Sequence, residues 1–347
     1  MRILEISPES SSRTGIGKLV NILVEGLRES GHEVKVNVPR HRFREFKISA
    51  IPFTTLGRYD VVHAHGPSPF LTDILSLRNI SIPFVFTWHT EIDYKFSQLF
   101  RIYRSFHRSW ISRADAIITL TNDYAMLFTR TRAKVEVIPP PLTIPWDRMS
   151  SSPPSKNEEF TVLFVGQLRP YKGVEVLIRA AKRLRRFQFN IVGDGWLRSR
   201  LISIASDNVR FFGSLAVEDL IELYASSHVI CLPSINGTEG FGLVLLEGSI
   251  FGCVPVASNL LGVRENVKRL RGYLFKPGDN EELTNILEHL CRREIWKYRS
   301  EVTRNAAREY ALANTPERYV KRHLEVFKTV VKASYMVGES ITDQKSC

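Results

Sequence analysis

Residues Pro233 to Gly248 read PSINGTEGFGLVLLEG and directly follow the apolar run Val229-Ile230-Cys231-Leu232. That order predicts a buried strand, a polar loop and a helix opening near Phe241, the handover expected of a parallel α/β sheet. Gly240 and Gly242 let backbone amides approach a ligand closely. A helix N-terminus favours negative charge, so an anion is expected at that end. Glu247 falls about a turn and a half into the helix, where a carboxylate can accept two hydrogen bonds from a vicinal diol such as a ribose. Glu239 stays on the loop, beyond the anion. Either glutamate alone reads equally well as a solvated surface acid. Helix end plus two carboxylates describe a site for a nucleotide diphosphate bearing a polyol.

The same alternation of strand and helix continues on both sides. Downstream of residue 160 the strand candidates are Thr161 to Val165, Ile191-Val192, Val209 to Phe212, Val229 to Leu232, Val254 to Ala257 and Tyr273 to Phe275. The first of them runs into the loop of FVGQLRPYKGVEVL, where Arg169 and Lys172 can neutralise a departing diphosphate. Upstream, Arg2 to Ile6 leads through SPESSSRTGIGK to a helix with Ile16, Leu19, Val20, Leu23 and Leu27 on one face and Gly31 at its end. Gly15 and Gly17 in that loop do not make the dinucleotide fingerprint GxGxxG. A strand at Asp60 to His65 carries His63 and His65 on one face, a spacing that suits a metal. No third ligand of suitable spacing is evident, so a cleft-lining role is expected instead. Ile82 to Trp88 delivers His89 at a strand C-terminus, where open α/β sheets place ligand contacts. Glu91 and Asp93 follow in a loop able to meet an acceptor. Ala116 to Leu120 and Val135 to Ile138 add two strands, and Pro139-Pro140-Pro141 ends the sheet.

The block GTEGFGLVLLEGSIFGCVPVAS (237–258), with two glutamates separated by seven residues, closely resembles the donor-site signature of retaining glycosyltransferases of family 4. FVGQLRPYKG, IVGDGWL, NVRFFGSL and WHTEID also match that family. The resemblance implies the GT-B fold, two doubly wound Rossmann-like parallel-sheet domains facing across a cleft, with a C-terminal helix crossing back to the first. It implies that Glu247 holds the ribose, that Glu239 holds hydroxyls of the donor sugar, and that amides at Phe241, Gly242 and Leu243 meet the diphosphate. Lys172 matches the family's phosphate-binding lysine. Gln167 stands where the family has an arginine, which leaves Arg169 as the candidate second cation. Phosphate contact is carried over to Gly15 and Gly17, with Thr14 in place of the usual first glycine. Gly166, Gly193, Gly195 and Gly213 belong to the donor loops, the last beside the base. His89 faces the donor sugar, and a His-x-His like that of His63 and His65 is common in the family.

The implied reaction moves a hexose from a UDP- or GDP-sugar to a hydroxyl of a lipid-linked, phospholipid or glycan acceptor. Configuration is retained by front-face attack, with His89, Lys172 and Glu239 as the catalytic groups. No DxD-like pair marks a metal site, so neither metal nor other cofactor is expected. A sugar-nucleotide epimerase shares the architecture and stands as the alternative. The net charge of +12 also raises a nucleic-acid-binding protein, but the 48 basic residues are spread over the chain and no reader motif appears.

Length and composition bound the rest. A chain of 347 residues accommodates two domains. The expected division is 1–148 with a returning helix at 317–333, a linker at 149–159 around Met149 to Ser155, a nucleotide-sugar domain at 160–316, and a frayed tail at 334–347. No apolar run approaches the roughly 18 residues of a membrane span. Cys231, Cys253, Cys291 and Cys347 show neither metal nor disulfide spacing, and no signal-peptide pattern follows Met1, so a cytoplasmic protein is expected. The segment 95–113 interleaves Arg101, Arg104 and Arg108 with Phe100, Tyr103, Phe106 and Trp110 at helical spacing, a cationic amphipathic helix able to hold the protein peripherally at an anionic membrane face.

Overall fold

A computed structural model describes residues 1–9, 14–38, 41–43, 46–48, 53–68, 82–91, 107, 111–146 and 156–343. The chain divides into two compact units, one of residues 1–141 with 314–347 and the other of residues 142–313.

The first unit is built on a six-stranded sheet. Its strands are β1 (Arg2–Ile6), β2 (Glu33–Asn37), β5 (Val61–Gly66), β6 (Phe84–Trp88), β7 (Ala116–Thr119) and β8 (Lys134–Val137), in the order β2-β1-β5-β6-β7-β8 with every pairing parallel. A separate antiparallel ribbon joins β3 (His41–Phe43) to β4 (Phe46–Ile48). The strand order reverses direction between β1 and β5, and the crevice beyond their C-terminal ends is where such sheets bind ligands. Strands β5, β6 and β7 are buried at every position, as the central strands of a sheet covered on both faces are.

Helix α1 (Gly15–Glu29) buries Leu19, Val20, Leu23, Val24 and Leu27, each worth about 1.5–3 kcal/mol of transfer free energy. Thr14 caps it: its hydroxyl accepts the amide of Gly17 at 3.1 Å. Gly31, at φ +79°, turns the chain out of the helix. A short helix, α2 (Asn122–Ala125), follows β7.

The second unit repeats the plan. Strands β9 (Thr161–Val165), β10 (Gln188–Val192), β11 (Val209–Gly213), β12 (Val229–Leu232), β13 (Val254–Ser258) and β14 (Tyr273–Phe275) stand in the order β11-β10-β9-β12-β13-β14, all parallel. That is the 3-2-1-4-5-6 order of dinucleotide-binding folds, with its switch point between β9 and β12. Its helices are α3 (Val174–Arg183), α4 (Arg198–Ile204), α5 (Val217–Ser226), α6 (Leu243–Ile250), α7 (Arg264–Arg269), α8 (Asn280–Leu290) and α9 (Arg293–Ala313).

The last helix, α10 (Pro316–Asp343), belongs to the first unit. Tyr319, Val320, Val326, Phe327 and Val330 join one core with Ile3, Val20, Leu23 and Leu27. It runs past residue 334, where the sequence suggests fraying, because each residue added to an established helix gains a hydrogen bond for one more fixed backbone position. The division between units also falls earlier than the Ser/Pro-rich stretch suggests, at Pro141 rather than near Met149. Leu142 and Ile144 are buried, and Thr143 bonds to the second unit's Glu247, which ties this segment to residues 142–313. Residues 147–155, which hold most of the expected linker, lie outside the described residues, as do Asp93 and nearly all of segment 95–113.

Candidate active site

At the switch point of the second unit the loops after β9 and β12 meet. Lys172 closes the short 3-10 turn Pro170–Lys172, and its Nζ donates to Glu239 Oε2 at 2.6 Å. Ser234 Oγ donates to the same oxygen at 3.0 Å. The two charged side chains are 14% and 9% exposed. Burial works against the Lys172 ammonium, but the Glu239 carboxylate, with help from Tyr171, outweighs it and raises the lysine above its ordinary value. The lysine therefore keeps its charge throughout the neutral range.

Gly173 makes this approach possible. It adopts φ +64° between the turn and α3, and a Cβ there would sit 1.9 Å from the carbonyl oxygen of Pro233. Gly193 is equally confined, with Gly166 O at 2.0 Å from where its Cβ would be. Backbone packs on backbone at both places, which only glycine allows.

Helix α6 begins one turn beyond Glu239. Its N-cap is Gly242 in the left-handed region at φ +73°, with no side chain satisfying the first amides. The helix therefore starts at Leu243, two residues later than the loop pattern suggests, with Phe241 buried beneath it. Gly248 lies against Ile230 of β12, which seats the helix directly on the strand. Glu247, 3% exposed, points inward. Its Oε1 accepts from Thr143 Oγ1 at 2.5 Å and its Oε2 from Tyr224 OH at 2.9 Å. Burial, then the adjacent Glu247 charge, pushes the Tyr224 hydroxyl well up, so it remains a donor.

In the first unit, β1, β5, β6 and the residue following β6 bring Glu5, His63, His65, Thr87 and His89 together. Glu5 Oε2 accepts from His65 Nε2 at 2.9 Å, and His65 Nδ1 lies 2.9 Å from His89 Nε2. His63 Nδ1 stands 2.8 Å from the same Glu5 oxygen, off the line of a hydrogen bond, while its Nε2 contacts Thr87 Oγ1 at 2.7 Å. Burial would raise the Glu5 carboxyl, yet the adjacent His63 imidazole and the bond from His65 hold it at about 2. Burial first, then neighbouring His63, lowers His65 to about 4, and burial with the His65, His63 and His323 charges takes His89 far down. Glu5, His63 and His65 also place one ligand atom each within 4.8 Å of one another. Sequence spacing offered no third ligand for the histidine pair; Glu5 comes from the neighbouring strand β1.

Two family models match consecutive parts of the chain, "Glycosyltransferase Family 4" over residues 50–144 and "Glycosyl transferases group 1" over residues 147–309. The chain belongs to the family 4 glycosyltransferases. Its fold is GT-B.

This glycosyltransferase is 27% identical over 312 residues to the O-antigen chain mannosyltransferase C of Escherichia coli, covering 83% of the chain and 82% of that protein. It is 29% identical over 257 residues to the phosphatidyl-myo-inositol mannosyltransferase of Mycobacterium leprae strain TN, covering 70% and 67%. Among solved structures, Anabaena Alr3699/HepE in complex with UDP superposes with a TM-score of 0.71 at 19% identity over 95% of this chain and 100% of that one.

Of the residues singled out by sequence, the glycosyltransferase brings Lys172 and Glu239 into direct contact and places Glu247 inward on α6, the helix that follows Glu239 in the chain. Gly166, Gly193 and Gly195 form one packed loop set, with Gly195 against Leu168 O, and Gly193 N bonds to Gly213 O at 2.7 Å. Gly15 and Gly17 start α1, and the Gly17 amide donates to the Thr14 hydroxyl that caps the helix. Arg169, at the start of the 3-10 turn, is half-buried, and Glu91 is buried. Sequence reasoning missed Glu5, Thr143 and Tyr224. Only the apolar surroundings of Glu5 in RILEI hinted at an unusual carboxylate; nothing local marks the other two. No described helix is long and apolar enough to cross a membrane.

Proposed function

We propose that this glycosyltransferase moves a hexose from a UDP- or GDP-sugar to a hydroxyl of a lipid-linked, phospholipid or glycan acceptor, with retention of configuration and without a metal. The Lys172–Glu239 pair at the second unit's switch point, beside an uncapped helix N-terminus, carries this reading. The helix end and the Lys172 ammonium bind the diphosphate, Glu247 accepts the ribose hydroxyls, and Glu239 orients the hexose.

In the proposed step the bond from the anomeric carbon to the diphosphate oxygen breaks. The acceptor oxygen bonds to the same face, and its proton passes to the departing diphosphate. Glu239 is already committed to Lys172 and Ser234, which favours this front-face route over a covalent glycosyl-enzyme through that carboxylate. Lys172 offsets the charge that develops on the leaving group, the kind of stabilisation that dominates many enzymatic rates. His89 forms a hydrogen bond with a hydroxyl of the transferred sugar. The two mannosyltransferase relatives favour mannose as the hexose.

A panel of UDP- and GDP-sugars in thermal shift tests the reading, since a specific donor at a hundredfold excess over its Kd adds about 2.7 kcal/mol. A shift with one donor that Glu247→Ala abolishes supports it; no shift with any donor removes it. Release of an epimerised sugar without acceptor would make the protein an isomerase. Peripheral attachment through 95–113 is a further part of the proposal, and co-sedimentation with liposomes that ignores anionic lipid content sinks it.

A further inference from the structure

The buried chain of groups in the first unit fixes protons as well as positions. Glu5 is fully buried and faces His65, so the proton of a neutral His65 must sit on Nε2, the nitrogen 2.9 Å from the carboxylate. His65 Nδ1 is then an acceptor. The only arrangement that makes the 2.9 Å contact with His89 a hydrogen bond puts the His89 proton on Nε2. His89 Nδ1 is left with a lone pair, and among the described residues that buried atom has no hydrogen-bond partner. A buried imidazole with one unsatisfied acceptor calls for a donor from a ligand.

We infer that Glu5 and His65 are positioning residues that hold His89 as the tautomer with a bare Nδ1, so that His89 accepts a proton-bearing hydroxyl of the substrate rather than donating to it. The role in transfer rests on His89 being a sugar contact; the tautomer does not. His63 flanks the same carboxylate and is itself held by Thr87, and His323 with Tyr319 on α10 close the cluster: the His63 and His323 rings are 5.7 Å apart, and His323 Nδ1 is tied to Tyr319 O at 2.8 Å.

A cation held by Glu5, His63 and His65 would take the Nε2 lone pair of His65. That reverses every proton in the chain and turns His89 Nδ1 into a donor. The two arrangements are therefore distinguishable by the His89 tautomer alone.

The test is nitrogen NMR of the full chain labelled at its histidines, with His89 assigned by loss of its signal in His89→Ala. Expected are an unprotonated Nδ1 and a protonated Nε2 on His89 in the free protein at neutral pH, with less than stoichiometric metal by elemental analysis. A protonated Nδ1, or one equivalent of bound zinc, overturns the inference. Glu5→Gln should mix or reverse the tautomers and lower kcat/KM about tenfold, the loss of one hydrogen bond. In a His89→Ala background the same substitution should cost nothing further, whereas a merely structural effect would add. The wild-type spectrum decides the tautomer even if Glu5→Gln fails to fold. Full transfer by His89→Ala with the predicted tautomer intact overturns the positioning role while leaving the transferase reading in place.

Discussion

Lys172 Nζ lies 2.6 Å from Glu239 Oε2, an ion pair that joins residues 67 apart in the chain across the switch point of the second sheet. Neither partner is solvated enough to be an ordinary surface pair, and among the described residues neither has a second ion-pair partner. A site that holds its cation and its carboxylate together before substrate arrives needs little reorganisation when charge develops.

Removing the ammonium should therefore cost both rate and stability. Lys172→Ala is expected to lower kcat by about 10²–10³. It should also lower stability by up to roughly 3–5 kcal/mol, since a largely buried carboxylate loses its partner. Lys172→Arg keeps the charge but not the compact geometry, and should recover stability better than rate. Steady-state kinetics and urea unfolding check both, and an unchanged kcat in Lys172→Ala removes the residue from the reaction.

Glu247 is the most fully engaged acid of the site, held by Thr143 and Tyr224. Glu247→Gln should weaken binding of UDP or GDP by about 1.5–3 kcal/mol, the worth of hydrogen bonds to a charged group, read by calorimetry. Tyr224→Phe leaves the carboxylate in place and should instead lower unfolding stability by about 1–3 kcal/mol, with nucleotide affinity less affected. If the tyrosine variant loses more affinity than the glutamine variant, the ribose assignment is wrong.

Gly173→Ala combines a left-handed backbone with a Cβ 1.9 Å from Pro233 O. Strain in such a backbone position costs about 1–3 kcal/mol before the clash is counted. The variant should melt lower and lose donor affinity, because separating the two loops also separates Lys172 from Glu239. Gly278, also at positive φ but with open space around it, is the control: its alanine variant should show strain without loss of donor binding.

Acid should destabilise the first unit in two steps. His65 is lowered from 6.5 to about 4, so the unfolded chain takes its proton first, and stability present above pH 6.5 falls as pH drops towards 4. Glu5 is lowered from 4.5 to about 2, which removes a second portion as pH falls from 4.5 to 2. Urea midpoints measured against pH should show both, and Glu5→Gln should lack the lower step. A midpoint that rises on acidification from pH 6.5 to 4 contradicts the sign.

Much of the architecture was legible locally. Buried strands such as Val229 to Leu232 are short apolar runs bounded by loop residues, α1 shows its buried stripe at helical spacing, and the alternation of the two types demands parallel sheets. The glutamates of the opening motif were visible for the same reason: glycine, acid and helix start lie within one stretch of chain. Boundaries were less so, because Gly242 in a left-handed conformation delays the helix, and the hydrogen bond from Thr143 to Glu247 draws the end of the first half into the second unit.

The sequence by itself determined the periodicities, the positions needing glycine and the identity of the charged groups near strand C-termini, since these depend on neighbours along the chain. Only the tertiary structure decided which groups face each other. Strand order brought Glu5 of β1 beside His65 of β5 and His89 beyond β6, and pairing β9 with β12 closed Lys172 on Glu239. Parallel neighbours are set by packing of whole layers, so the partners they create carry no mark in local spacing.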